Sequence, residues 1–155
     1  MAHITMEYYV IMIPILLMQV IFIPMATSWM MDVWVDRRRQ TALQDVASHL
    51  GSTIEQLYFS LNREEIGAGI VTQASNVPLF IESISYVVTA SDRRVENSTM
   101  IDLHLALMRG GITATTRVTL GPNVLWDEST FVSNSTGACI KVEKFSNGTL
   151  SFSFG

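Results

Sequence analysis

The sequence predicts an α+β chain in which a long N-terminal hydrophobic α-helix is followed by a small antiparallel β-sheet or sandwich domain. Three observations lead there. An uncharged apolar run extends from Tyr8 to Met31, apolar residues recur at spacings of three and four from Leu43 to Leu61, and β-branched residues with turn punctuation take over from Val77. Of the 155 residues 48% are apolar and only 15% are charged, with a mean hydropathy of +0.31. That profile excludes a disordered chain, and its apolar excess is concentrated in the first 35 residues. Net charge is −4 and no basic run exceeds Arg37-Arg38-Arg39, so no nucleic-acid partner is expected. Cys139 is the single cysteine, which excludes an intrachain disulfide and a Cys-rich metal site.

The first element is YYVIMIPILLMQVIFIPMATSWMM, 24 residues bounded by Glu7 and Asp32. As a helix it measures about 36 Å at roughly 1.5 Å per residue, enough to cross a hydrocarbon core of about 30 Å. Gln19, Thr27 and Ser28 are its only polar interruptions, so its apolar surface runs all round and lipid or other copies of itself must cover it. A cleaved secretory signal would need a basic n-region and a shorter apolar stretch. Pro14 and Pro24 each remove a backbone donor, which predicts a bend or a melted turn at each.

The helix continues beyond the arginines. Leu43, Val46, Ala47, Leu50, Ile54, Leu57, Tyr58 and Leu61 share one face, with Gln44, Asp45, Ser48, His49, Ser52, Glu55 and Gln56 on the others. No proline falls between residues 25 and 77, so span and amphipathic half are expected as one rod from about residue 5 to residue 63, stopped by Gly67 and Gly69. Leu43, Val46, Leu50, Ile54, Leu57 and Leu61 are the residues expected to pack against the following domain. The expected division is a long helix over 1–66 (span 8–31, amphipathic half 40–61), a linker over 67–78 and a β-rich head over 79–155.

In the head, Ile101, Leu103, Leu105 and Leu107 alternate with Asp102, His104, Ala106 and Met108, as in a half-buried strand. Gly110-Gly111 turns the chain into Thr113 to Leu120, with Ala114, Thr116, Val118 and Leu120 on one face. Further strands are expected at Leu79 to Thr89, Thr130 to Val132, Ala138 to Lys144 and Leu150 to Phe154, the last two joined at Asn147-Gly148. About five or six strands should cover the amphipathic helix with one face.

Three N-x-S/T sequons begin at Asn97, Asn134 and Asn147, all in expected turns, and mark candidate N-glycosylation sites. They place the head outside the cell, whereas Arg37-Arg38-Arg39 by the positive-inside tendency favours the cytoplasm. A short basic leader ahead of Met1, removed after setting the orientation, would reconcile the two. No catalytic motif is present: G-x-S-x-G, H-E-x-x-H and a Gly-rich phosphate loop are all missing from the sequence. Asp102 and His104 share a strand face but read as solvated neighbours. Cys139 reads as a small buried apolar residue, and the nine methionines as adaptable packing. No enzyme, metal or cofactor beyond candidate N-linked glycans is therefore expected.

Glu7 followed by the apolar run, its unbroken continuation into Leu43 to Leu61, and a β-rich domain of about 90 residues together resemble a type IV pilin. The sequons and the missing disulfide resemble its archaeal branch. The likeness covers the whole chain in architecture, while its residue-level motif is confined to the first 35 or so positions. It implies a structural subunit, made with a leader that a prepilin peptidase removes. The subunit is then lifted from the membrane by an assembly machinery with an ATPase motor, and polymerises with itself into an extracellular filament for adhesion or surface attachment. Filament-core packing would fall to Ile11, Pro14, Ile15, Leu16, Gln19, Val20, Ile23 and Pro24. Glu7 would pair with a neighbouring subunit's terminal amine; it would be the fifth residue after a cut following Ala2. Archaellins, subunits of motility filaments, share the same helix. A single-pass membrane-anchored envelope protein with an extracellular β binding domain would display the same span and head.

Overall fold

The computed structural model describes the backbone of residues 2–155 and the side chains from Val10 onward. The side chain of Glu7, and with it the expected inter-subunit charge, lies outside the described residues. Helix α1 spans Ala2–Leu61 and passes unbroken through Pro14 and Pro24. The prolines withdraw the donors that would bond the carbonyls of Val10 and Val20, yet the melted turns expected there are absent among the described residues. Just past Pro24, the Thr27 hydroxyl lies 2.9 Å from the carbonyls of both Ile23 and Pro24, which tightens that turn.

The chain divides into two units, Met1–Arg38 and Arg39–Gly155. This corrects the expected boundary at residue 66, because the outer half of the helix is part of the head's core. Leu43, Leu50 and Ile54 are fully buried, Val46 and Leu61 nearly so, and Leu57 is half-buried against the same cluster. The end of the helix is also corrected. It stops at Leu61, short of Gly67 and Gly69, where Lys144 Nζ donates to the carbonyls of Leu61 at 2.7 Å and Arg63 at 2.8 Å. A cation at this pole satisfies carbonyls that have no helical partner and offsets the negative end of the helix dipole.

Eight strands follow among the described residues, in place of the five or six expected: β1 (Gly69–Ala74), β2 (Tyr86–Val95), β3 (Ser98–Leu107), β4 (Thr113–Leu120), β5 (Val124–Trp126), β6 (Thr130–Val132), β7 (Cys139–Lys144) and β8 (Leu150–Phe154). They form two four-stranded sheets, ordered β1-β7-β8-β5 and β4-β3-β2-β6, antiparallel except for β5 beside β8. The expected linker over 67–78 therefore contains a strand. Ile70, Val71 and Thr72 give β1 its β-branched character, and it pairs with β7 from Gly69↔Lys144 to Ala74↔Cys139. The expected strand from Leu79 begins only at Tyr86. Residues 79–85 instead fold into a tight turn in which Ile81 and Ile84 exchange two hydrogen bonds of 2.9 Å. Its central residues Glu82 and Ser83 adopt φ of 47° and 66°, at about 1–2 kcal/mol each for side chains that carry a Cβ. The turns at Gly110-Gly111 and Gly148 also have positive φ, there supplied by glycine.

Helix and sheets share one apolar cluster. The helix follows β4: Gln44 Nε2 donates to the Thr115 carbonyl at 3.3 Å, a Cβ at Gly51 would lie 3.2 Å from Val118 Cγ2, and a Cβ at Gly121 would overlap the Tyr58 hydroxyl. From Gln44 to Tyr58 the helix advances roughly 21 Å, and from Thr115 to Gly121 the strand advances roughly 20 Å, so the two run side by side in step. On its other flank His49, Thr53 and Leu57 line a cleft together with Gln73 to Asn76 at the end of β1. The helix thus closes the side left open between edge strands β1 and β4. On the opposite side the sheets meet through Thr99 Oγ1, which donates to the Val124 carbonyl at 3.4 Å, and through Phe131 against Phe154, 5.6 Å apart.

Tyr86 is fully buried, and its hydroxyl donates to the Pro78 carbonyl at 2.7 Å. Burial pushes its pKa from 10.0 up to about 12. Because the folded value is raised, the associated stability is intact below pH 10.0 and is lost as pH rises toward about 12. Denaturation at stepped pH should show a loss on the order of 2 kcal/mol across that window, and Tyr86→Phe should remove this component while costing about 1 kcal/mol at neutral pH.

Candidate functional site

From Val10 through Asp32 every residue of α1 is exposed in the single chain, and none of the most apolar stretch is buried. Ile11 is 63% exposed, Ile15 47%, Val20 66% and Ile23 59%, although these residue types are normally interior. The eight residues expected to form a filament core, Ile11, Pro14, Ile15, Leu16, Gln19, Val20, Ile23 and Pro24, all lie in this stretch. They surround the helix, so no single side is the apolar one. The helix is long and apolar enough to cross a membrane. Gln19 has no hydrogen-bond partner among the described residues, which leaves its amide free to bond to a neighbouring helix. Trp29 and Trp34, 70% and 69% exposed, stand close to Asp32 and Asp36 at the end of the run. Indole rings favour the membrane–water boundary, and the Trp–Asp interleaving was a readable sign of it that periodicity alone passes over.

The same helix changes character in the second unit. Leu43, Val46, Leu50, Ile54 and Leu61 are buried and Leu57 partly so, placing the six expected packing residues against both sheets. Near the helix terminus Tyr58, Asn62 and Asn123 form a polar knot. Asn62 Nδ2 donates to the Tyr58 hydroxyl at 3.1 Å, and Asn123 Nδ2 to Asn62 Oδ1 at 2.8 Å and to the Gly148 carbonyl at 2.9 Å. This knot ties the helix end to the β7–β8 turn.

Asn97, Asn134 and Asn147 are exposed and each lies in a turn. Asn97 and Asn147 belong to the end of the head where the helix stops. Asn134 belongs to the opposite end, next to Ser133, whose hydroxyl donates to the Leu79 carbonyl at 2.7 Å. Each can take a bulky polar group without disturbing the core.

Asp102 and His104 lie on the outer face of β3, and Asp102 turns to the cross-strand Arg117. Arg117 Nε donates to Asp102 Oδ1 at 2.6 Å and Nη2 to Oδ2 at 3.3 Å. The hydrogen bond from Arg117, aided by its charge, holds the Asp102 carboxyl below the usual carboxylate range. The pair's contribution to stability is present above that range and fades as pH falls through the lowered value. NMR titration of Arg117→Ala should show the Asp102 midpoint moving up toward an ordinary aspartate. Cys139 is half-buried, not fully enclosed as its strand position suggested. Among the described residues no three His, Cys, Asp or Glu side chains converge as a metal site would need.

No family model, curated protein or solved structure matches this chain.

Proposed function

We propose that the chain is a structural subunit, similar to archaeal type IV pilins, which polymerises through its N-terminal helix into an extracellular filament used for adhesion or surface attachment. One observation carries this reading: a single helix whose first part is apolar and exposed on all sides and whose continuation is the core of a folded head. The exposed part needs a solvent. Lipid supplies one before assembly and identical helices supply one afterwards. Covering on the order of 1,500–2,000 Å² of apolar surface is worth tens of kcal/mol relative to water at about 25 cal/mol per Å². Relative to lipid the gain is far smaller, so extraction calls for the ATPase motor and membrane machinery of such systems. A head-to-tail contact between like subunits that does not close yields an open helical polymer. Exposed sequons at Asn97, Asn134 and Asn147 support a head outside the cell that carries N-linked glycans, and Glu7 would contribute the inter-subunit charge.

Electron microscopy of material sheared from cells, with mass spectrometry of the mature N-terminus and of the three asparagines, tests this. Fibres composed of this chain are expected. Dispersed single copies that keep residues 8–31 in detergent would overturn the reading and leave the single-pass membrane-anchored protein in its place.

A further inference from the structure

At the end of the head where the helix enters at Arg39, three large apolar side chains face solvent: Leu79 (54% exposed), Phe80 (50%) and Met108 (54%). They belong to two turns that the structure fastens together. Met108 N donates to the Ser85 carbonyl at 3.0 Å, and the Ser85 hydroxyl to Met108 Sδ at 3.1 Å. The first of these turns is also anchored elsewhere, through the Tyr86 hydroxyl on the Pro78 carbonyl and the Ser133 hydroxyl on the Leu79 carbonyl. Arg39 Nε donates to Glu82 Oε2 at 2.9 Å, which marks this as the helix-entry end. The turn is held although Glu82 and Ser83 sit in the left-handed region. An apolar tip maintained against backbone strain, and unused by the core, calls for a partner.

We propose that this tip is a membrane-surface contact, with Leu79, Phe80 and Met108 entering the headgroup region of the bilayer that holds the N-terminal helix. Two features of the chain favour a lipid surface. The apolar run ends at Met31, eight residues before Arg39, so the connecting chain is short enough for this end of the head to reach the bilayer. The exposed Arg109 beside Met108 supplies a cation suited to lipid phosphates. The proposal rests on the membrane-anchor part of the reading above and is independent of polymerisation.

The test uses the full chain with Cys139→Ala, reconstituted in vesicles of phosphatidylcholine with phosphatidylglycerol. An environment-sensitive fluorophore is attached at Leu17→Cys, Leu79→Cys, Phe80→Cys or Asn97→Cys. Asn97 lies in the β2–β3 turn, at the other end of the hairpin from Met108. Labels at 79 and 80 should shift to the blue and be quenched several-fold more than the label at 97 by lipids carrying a quencher at headgroup depth. Adding Arg109→Glu should reduce that quenching. If the label at 17 is quenched by lipids carrying a quencher in mid-chain while those at 79 and 80 match position 97 with the headgroup quencher, the proposal fails and the anchor stands. If the label at 17 is unquenched by the mid-chain quencher too, both fail. Loss of the signals at 79 and 80 on dilution into excess lipid would show a contact with a second copy and would also overturn the lipid assignment.

Discussion

Ile15→Asp should abolish filaments while leaving the head folded. A carboxylate near the middle of a membrane helix costs about 2.5–3.5 kcal/mol in insertion alone. In a polymer of like helices the cost recurs in every copy, because each subunit would pack an unpaired charge among apolar neighbours with no water to solvate it. A charge at Val20 should act the same way. Gln19→Leu should be tolerated, since it removes a polar group together with its need for a partner. The head unit starts at Arg39, so its thermal transition should be unchanged in all three variants. Normal fibres from Ile15→Asp, seen by electron microscopy, would remove the main support for the assembly reading.

Leu50→Ala should destabilise the head by about 2–5 kcal/mol, the range for removing a fully enclosed leucine from a core. Leu50 has no exposure and precedes Gly51, the helix's close approach to Val118 of β4, so the cavity would open where helix and strand are most tightly apposed. Collapse into it is limited because the helix is fixed at both ends of the head, by Arg39 on Glu82 and by Lys144 on the carbonyls of Leu61 and Arg63. Phe59 is the control. It is 67% exposed, and Phe59→Ala should change stability by no more than about 0.5 kcal/mol. Chemical denaturation of the detergent-solubilised full chain measures both, and equal effects would show that the stripe does not serve as core.

The two halves of the helix were legible because each carries its own periodic signature. The absence of a polar stripe from Tyr8 to Met31 and the three-and-four spacing from Leu43 to Leu61 are strong patterns over many turns. Strands β3 and β4 were legible for the same reason, since one face is buried and the other solvated. Strand β1 was hidden because it is an exposed edge, where Ile70 and Val71 face solvent and no alternation develops. Strand β5 has only three residues and owes its pairing to β8, far along the chain. The helix end was misplaced because its cap is the long-range Lys144, whereas glycines advertise a stop locally. At the apolar surface the residues themselves were plain and Trp29 and Trp34 could be read from their interleaving with Asp32 and Asp36, while the tip at Leu79 and Phe80 needed coordinates. Isolated aromatic and leucine side chains look alike in sequence whether they are enclosed or outward.

The cap formed by Lys144 has a bearing on biogenesis. Lys144 and Leu61 are separated by 83 residues, and at a ribosome speed of about 5–20 residues per second the cap arrives roughly 4–17 s after the helix it closes. For nearly all of that interval the stripe from Leu43 to Leu61 has none of β7 or β8 to cover it, so a chaperone or the bilayer itself must shelter it until translation catches up.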